Sequence, residues 1–323
     1  MSNFFEEIKT KLEGTNRFIV FPEGTDERIL TATSQLGVAG ILTPILIGKK
    51  SEIKKRAEEV GVDVSSCKVM DPGEFEEFDL MVETFVERRK GKVSEDEARK
   101  ILVDENYFGS MLVYMNQADG LVSGAARSTA DTVRPALQII KTKEGIKKTS
   151  GVFIMVRGDE KYVFADCAIN IAPDSQDLAE IAVESAVTAE LFGVDPRVAM
   201  LSFSTKGSAK SDETERVADA LQIAKEKKPS LLIDGEFQFD AAFVPSVAEK
   251  KAPDSPLKGD ANVFIFPSLE AGNIGYKIAQ RLGEFDAVGP ILQGLNRPVN
   301  DLSRGCSSDD VYNLALITAV QAK

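Results

Sequence analysis

Residues Arg17 to Ile47 read RFIVFPEGTDERILTATSQLGVAGILTPILI, and this stretch decides the fold class of the chain. The apolar run Arg17 to Phe21 predicts a strand. Thr25 then caps an apolar-periodic stretch to Leu36, a predicted helix that Gly37 stops, and Ile41 to Ile47 predicts the next strand. Strand, helix and strand in that order make a βαβ unit, the building block of a parallel sheet covered by helices. The same alternation continues downstream. Ser51 to Val60 and Glu95 to Val103 predict helices. Gly120 to Val122 predicts a buried strand running into a Gly-Ala turn, and the helix after it carries Arg134-Pro135.

The rhythm breaks near Ser150, where Val152 to Val156 and Tyr162 to Ala165 flank Arg157-Gly158-Asp159-Glu160 as in a β-hairpin. A boundary therefore falls after the charged segment Lys141 to Lys148. Beyond it βα alternation resumes, with predicted strands at Val198 to Ser202, Leu231 to Ile233, Asn262 to Phe266 and Ala287 to Leu292. Long predicted helices at Ser175 to Leu191 and Ser211 to Glu226 separate them, and a last one covers Asp309 to Val320. A chain of 323 residues exceeds what one hydrophobic core usually organises, so two α/β domains are expected.

Composition narrows the function classes. With 39 basic against 51 acidic residues the net charge is −12, which disfavours a nucleic-acid or anionic-membrane partner. An anionic ligand must then meet local concentrations of Arg and Lys. No apolar run approaches a membrane span, and Met1 to Glu7 lacks the basic and apolar regions of a signal peptide, so a cytoplasmic location is expected. Cys67, Cys167 and Cys306 have no paired spacing, which points to reduced thiols rather than a disulfide framework or zinc cluster. The absence of histidine removes Ser-His-Asp triads and Cys-His dyads. Proton transfer falls to Asp, Glu, Lys, Tyr or Cys.

Ligands of doubly wound sheets gather at the carboxyl ends of strands, which directs attention to four loops. Ser123 to Thr129 leads into a helix, where free N–H groups with the Ser128 and Thr129 hydroxyls can hold a phosphate; a plain helix cap is the other reading. Ser202 to Lys210, with Lys206, Gly207 and Ser208, suits a polyanion or is an ordinary solvated loop, and it lacks the register of a Walker motif. Pro267 to Gly275 opens a helix carrying Arg281 near its end, a ligand group or a cation at a helix C-terminus. Ser303 to Asp310 precedes the last helix, and Ser307 with Asp310 has capping-box spacing. No Gly-x-Gly-x-x-Gly dinucleotide fingerprint occurs.

Taken together, the segments Ala118-Asp119-Gly120 through Arg134-Pro135, Ala165-Asp166-Cys167-Ala168-Ile169-Asn170, Ser202 to Lys210, Pro267 to Arg281 and Gly289 to Cys306 closely resemble the phosphate acetyltransferase family, over nearly the whole chain. The resemblance implies two doubly wound three-layer α/β/α domains of the isocitrate and isopropylmalate dehydrogenase-like kind, with a cleft between them. It implies a first domain of 1–148 plus 293–323, the C-terminal helix returning to it, and a second of 149–292. It also implies a homodimer whose substrates are acetyl-CoA, phosphate and acetyl phosphate, with no metal or redox cofactor. Carried over by motif, Ser303, Arg304 and Asp310 are catalytic, and Arg281, Arg134 and Arg88, or Arg89 beside it, are substrate-binding cations. Arg127 stands where many relatives have His, which would retain a cation beside the phosphate. Cys167 is expected to be a buried, inert thiol.

On this resemblance Asp310 receives the proton of the coenzyme A thiol, Ser303 orients the reactants, and Arg304 stabilises phosphate and oxyanion. A phosphate butyryltransferase would differ only in the acyl pocket. A metal- and NAD(P)-dependent decarboxylating dehydrogenase shares the implied fold but needs a carboxylate cluster and a cofactor site that the sequence does not offer. A non-catalytic acyl-CoA-sensing module is the third reading, against which stand the intact Ser303, Arg304 and Asp310.

Overall fold

The computed structural model describes residues 3–322 and divides into two compact units. A continuous unit comprises Glu144–Gly294 with the start of the chain through Phe4, and a split unit comprises Phe5–Lys143 with Leu295 onward. In chain order the first stretch forms α1 (Asn3–Leu12), β1 (Phe18–Phe21), α2 (Glu27–Ala39), β2 (Thr43–Ile47), α3 (Lys50–Val60), β3 (Lys68–Met70), α4 (Phe78–Arg88), α5 (Glu95–Ile101), α6 (Glu105–Tyr114), β4 (Gly120–Ser123) and α7 (Thr129–Ile139). The continuous unit adds β5 (Ser150–Arg157), β6 (Glu160–Ala165), α8 (Ser175–Leu191), β7 (Val198–Leu201), α9 (Asp212–Lys227), β8 (Ile233–Phe237), α10 (Phe239–Phe243), α11 (Pro245–Lys251), β9 (Val263–Ile265), α12 (Leu269–Leu282) and β10 (Asp286–Gln293). The chain then returns to the split unit as β11 (Val299–Asp301) and α13 (Ser308–Gln321).

The sheet of the split unit has the order β11-β4-β1-β2-β3 and is parallel throughout. Winding starts at β1, runs outward to β3, then reverses through β4 to β11. The reversal lies between β1 and β4, the kind of switch point beside which ligands of such sheets bind. Ile19, Val20, Phe21, Leu121 and Val122 are buried in this sheet, and Leu316 and Ile317 of α13 are buried with them. α13 packs on α2, β4 and β1.

The sheet of the continuous unit is mixed, and contains the β-hairpin expected there. Its order is β10-β5-β6-β9-β7-β8; β10 and β6 run antiparallel to β5, and only β6-β9-β7-β8 is parallel. The hairpin around Gly158 forces this, because a two-residue turn can join only antiparallel strands. Phe164, Phe264 and Phe266 pack edge-to-face or tilted at 5.2–5.5 Å in its core.

Three local expectations are corrected. Asp26, not Thr25, caps α2, its side chain accepting from the Arg28 N–H at 2.9 Å. Gly37 lies inside α2 rather than ending it; a Cβ there would stand 2.8 Å from the Cβ of Ser66, so the glycine answers to packing. The helix ends at Gly40, whose φ of +64° is a left-handed cap. The strand expected at Leu231 to Ile233 begins at Ile233 and runs to Phe237, because buried Asp234 and Glu236 belong to it. No described helix is long and apolar enough to cross a membrane.

Candidate active site

The carboxyl ends of β1, β4 and β11 lie side by side in the split unit, and their loops are bound to one another by the β1–α2 loop. Glu23 in that loop accepts from four successive N–H groups, those of Gly124 and Ala125 at 3.0 and 2.9 Å on Oε2 and of Ala126 and Arg127 at 2.8 and 2.9 Å on Oε1. These are the N–H groups that the sequence offers to a phosphate. The anion they hold here is the protein's own Glu23 carboxylate. The loop turns at Gly124, φ +108°, where a Cβ would lie 2.5 Å from Asp301 Oδ1 and 2.8 Å from the Leu302 backbone.

Ser128 and Thr129 are likewise turned toward protein groups. The Ser128 hydroxyl donates to Asp131 at 2.7 Å in a capping box, and the Thr129 hydroxyl donates to Asp301 Oδ2 at 2.6 Å. Asp301, at the end of β11, is 4% exposed, and its Oδ1 has no partner among the described residues. Burial raises its pKa, the Thr129 bond opposing and the charge of Glu23 adding to the rise.

From Asp301 the chain passes through Leu302, whose N–H donates to Ser123 O at 2.7 Å, into the exposed residues Ser303 and Arg304. The Cys306 N–H closes a turn on Ser303 O at 2.9 Å. Ser307 caps α13, and Asp310 Oδ2 accepts from the Ser307 N–H at 2.8 Å and its hydroxyl at 2.9 Å. Asp310 is thus a helix cap, and it is also exposed, with both bonds on one oxygen. Ser303, Arg304 and Asp310 share one loop and the first turn of its helix, without hydrogen bonds linking their side chains.

The arginines of the split unit sort into spent and unspent. Arg127 is held by Asp104 at 2.6 Å and by Glu105, so its guanidinium is engaged within the protein. Arg88 donates to the last carbonyls of α7, Ile139 O at 2.6 Å and Ile140 O at 3.0 Å, and lies over the Tyr114 ring. Its neighbour Arg89 has a buried Nε without a partner. The guanidinium groups of Arg304 and Arg134 make no hydrogen bond or ion pair with described residues; Arg134 lines a pocket of about 230 Å³ with Lys100, Tyr107 and Asp131. Lys141 sits among Arg88, Arg89, Lys90 and Lys92, and burial together with these like charges lowers its pKa.

In the continuous unit, Arg281 is exposed in the last turn of α12 and unpaired. The Ser202 to Lys210 loop is self-satisfied: Lys206 donates to Asp234 at 2.6 Å and Gly235 O at 2.7 Å, while Gly207 N–H and the Ser204 hydroxyl both bind Glu236 at 2.8 Å. Ser208 Oγ accepts the Thr205 N–H at 3.0 Å. The open polyanion cradle expected there is closed around two buried carboxylates of β8.

A family model described as phosphate acetyl/butaryl transferase matches residues 3–319. The chain belongs to this family. It is 72% identical over 322 residues to a phosphate acetyltransferase of Bacillus subtilis, covering all of both chains. The solved structure of a phosphotransacetylase from Streptococcus pyogenes superposes with a TM-score of 0.97 at 58% identity, over 100% of this chain and 99% of that one. At the level of fold alone, a Salmonella typhimurium structure assigned as a 4-hydroxythreonine-4-phosphate dehydrogenase covers 95% of this chain, with a TM-score of 0.56 and 13% identity. The dehydrogenase-like α/β fold expected from the sequence is therefore the fold of this phosphate acyltransferase. No sequence motif singles out its Glu23, Arg28 and Asp301. The word Pro22-Glu23-Gly24, directly after β1, was the available signal, since it too follows the carboxyl end of a strand.

Proposed function

We propose that this phosphate acetyltransferase moves the acetyl group between acetyl phosphate and coenzyme A by direct attack of the thiolate. The observation that carries the mechanism is the contrast among the arginines: Arg28, Arg88 and Arg127 are spent on protein oxygens, whereas Arg304 is presented with nothing bound to its guanidinium. A fork of donors on an exposed loop suits a phosphate and the oxyanion that develops beside it. A thiol of pKa about 8.5 facing a carboxylate of about 3.9 is mismatched by roughly 4.5 units, about 6 kcal/mol, so deprotonation needs help from positive charge. Arg304 and the N-terminus of α13 supply it, and both favour the thiolate.

Asp310 takes the thiol proton, sulfur bonds to the acetyl carbon, and the carbon–oxygen bond to phosphate breaks as the tetrahedral intermediate collapses. Ser303 orients the reactants. Arg134 and Arg281 hold remote anionic groups, and the Arg89–Lys141 cation cluster suits the phosphates of the coenzyme. Ser128, Thr129, Lys206, Gly207 and Ser208 remain substrate-binding by family carry-over, although each is engaged internally; of the Arg88–Arg89 pair, Arg88 is engaged on the α7 carbonyls and the substrate-binding role falls to Arg89. Butyryl transfer is the second reading, distinguished by comparing turnover of acetyl and butyryl phosphate.

A homodimer and a cytoplasmic setting belong to the same proposal. Ile274, Ile278 and Leu282 form an exposed apolar stripe along α12, with Leu282 83% exposed, beside the edge strand β10. A second copy is the occupant that this stripe suits. Release of coenzyme A from acetyl-CoA on adding phosphate, followed with a thiol reagent, tests the activity; absence of released thiol at high enzyme concentration sinks it.

A further inference from the structure

Arg28 reaches from the first turn of α2 into both loops of the site. Its Nε and Nη2 grip Asp26 at 3.0 and 2.8 Å. Nη2 also donates to Ala125 O at 2.6 Å, in the loop after β4. Nη1 donates to Arg304 O at 2.8 Å and Cys306 O at 3.3 Å, in the loop after β11. The base of the side chain is fixed, because Ile29 and Leu30 beside it are fully buried and Asp26 is the cap of the helix. Ala125 is held from both sides, its N–H by Glu23 and its carbonyl by Arg28.

The loop that carries Arg304 has little else to hold it. Among the described residues, Arg28 is the only group outside 303–306 that hydrogen-bonds residues 303–306. The internal bonds are the Cys306 N–H to Ser303 O and the Gly305 N–H to Ser303 Oγ at 3.3 Å. A Cβ on Gly305 would meet nothing nearer than 3.9 Å, so packing does not confine that point of the loop. We propose that Arg28 is the positioning residue of acetyl transfer, fixing the Arg304 backbone so that its guanidinium is presented in one place. Arg28 cannot itself serve the substrate, since its donors are taken by protein oxygens. The inference rests on the reading of Arg304 as the catalytic cation.

Steady-state kinetics of acetyl-CoA and phosphate exchange test it in four proteins: wild type, Arg28→Ala, Arg304→Ala and the double variant, with melting curves for each. Displacement of a catalytic group by about 1 Å can cost about 10²-fold, so Arg28→Ala is expected to lose about that factor in kcat, with both Michaelis constants within about threefold of wild type. In the Arg304→Ala background the same change should cost less than about threefold, because the group it positions is gone. If Arg28→Ala does not fold, Arg28→Lys replaces it; one ammonium cannot span Asp26 and three carbonyls, and about a tenfold loss in kcat is expected. Wild-type kcat in either Arg28 variant, or an equal loss in both backgrounds, overturns the inference. Full turnover in Arg304→Ala would instead overturn the reading of Arg304 and the inference with it, and inactive wild type would overturn the proposed activity.

Discussion

Replacing Asp310 with Asn separates two demands that the structure places on one carboxylate. As a cap, Asp310 accepts two bonds from Ser307 on a single oxygen, at 2.8 and 2.9 Å, and an Asn carbonyl can accept both. What the cap loses is a negative charge in the first turn of α13, worth about 0.3–1 kcal/mol at an exposed site. That corresponds to a fall in Tm of about 1–4 °C. As a base, Asn cannot take a proton, and loss of general base catalysis costs about 10² to 10⁴ in kcat. The expected variant therefore melts within a few degrees of wild type and has almost no turnover at neutral pH. Raising the pH should restore part of the rate, because more coenzyme A then arrives as thiolate. Thiol release measured across pH, with melting curves at each point, gives both numbers. Turnover within threefold of wild type at neutral pH would leave Asp310 as a cap only and refute its role as base.

Arg304→Lys should recover less than a tenth of wild-type kcat, since a point charge lacks the planar fork; wild-type kinetics would refute the bidentate contact. Arg88→Ala should lower stability by about 1–3 kcal/mol through loss of charged bonds to the α7 carbonyls, while Arg89→Ala should raise the Michaelis constant for acetyl-CoA. The opposite pattern would exchange the two assignments. Asp301, whose carboxyl is raised above its ordinary value of 3.8 mainly by burial, binds more protons folded than unfolded, so its contribution falls as pH climbs from about 4 and is flat above its folded value. The Tm advantage of wild type over Asp301→Asn should accordingly be larger near pH 4 than at pH 7, and equal differences at the two pH values would refute this.

Periodicity carried the elements with a clear polar and apolar side. α8 begins and ends where its pattern does, at Ser175 and Leu191, and the β5–β6 hairpin is legible from Gly158 between two β-branched runs. α6 was not, because Phe108 to Val113 are all buried and no polar face marks a period. β8 extends beyond Ile233 through two acids, Asp234 and Glu236, which a strand pattern does not lead one to bury; only in three dimensions do Lys206, Ser204 and Gly207 account for them. The same blindness affected the site. A loop rich in N–H groups and hydroxyls looks open to phosphate until Glu23, about a hundred residues earlier, is found inside it. Arg304, Arg134 and Arg281 were legible by motif, but that their guanidinium groups lack partners among the described residues, whereas those of Arg88 and Arg127 are engaged, is a fact about distance.

The return of the chain to the split unit orders events during synthesis. Residues 144–294 leave the ribosome as a complete unit while the parallel sheet still lacks β11, so β4, buried along its whole length in the finished protein, waits with one edge unpaired. Until Val299–Asp301 emerge, that edge can pair with any passing strand. Translation also delivers Ser303, Arg304 and Asp310 among the last residues described, so a nascent chain acquires the loop that carries them only in the step that closes its sheet.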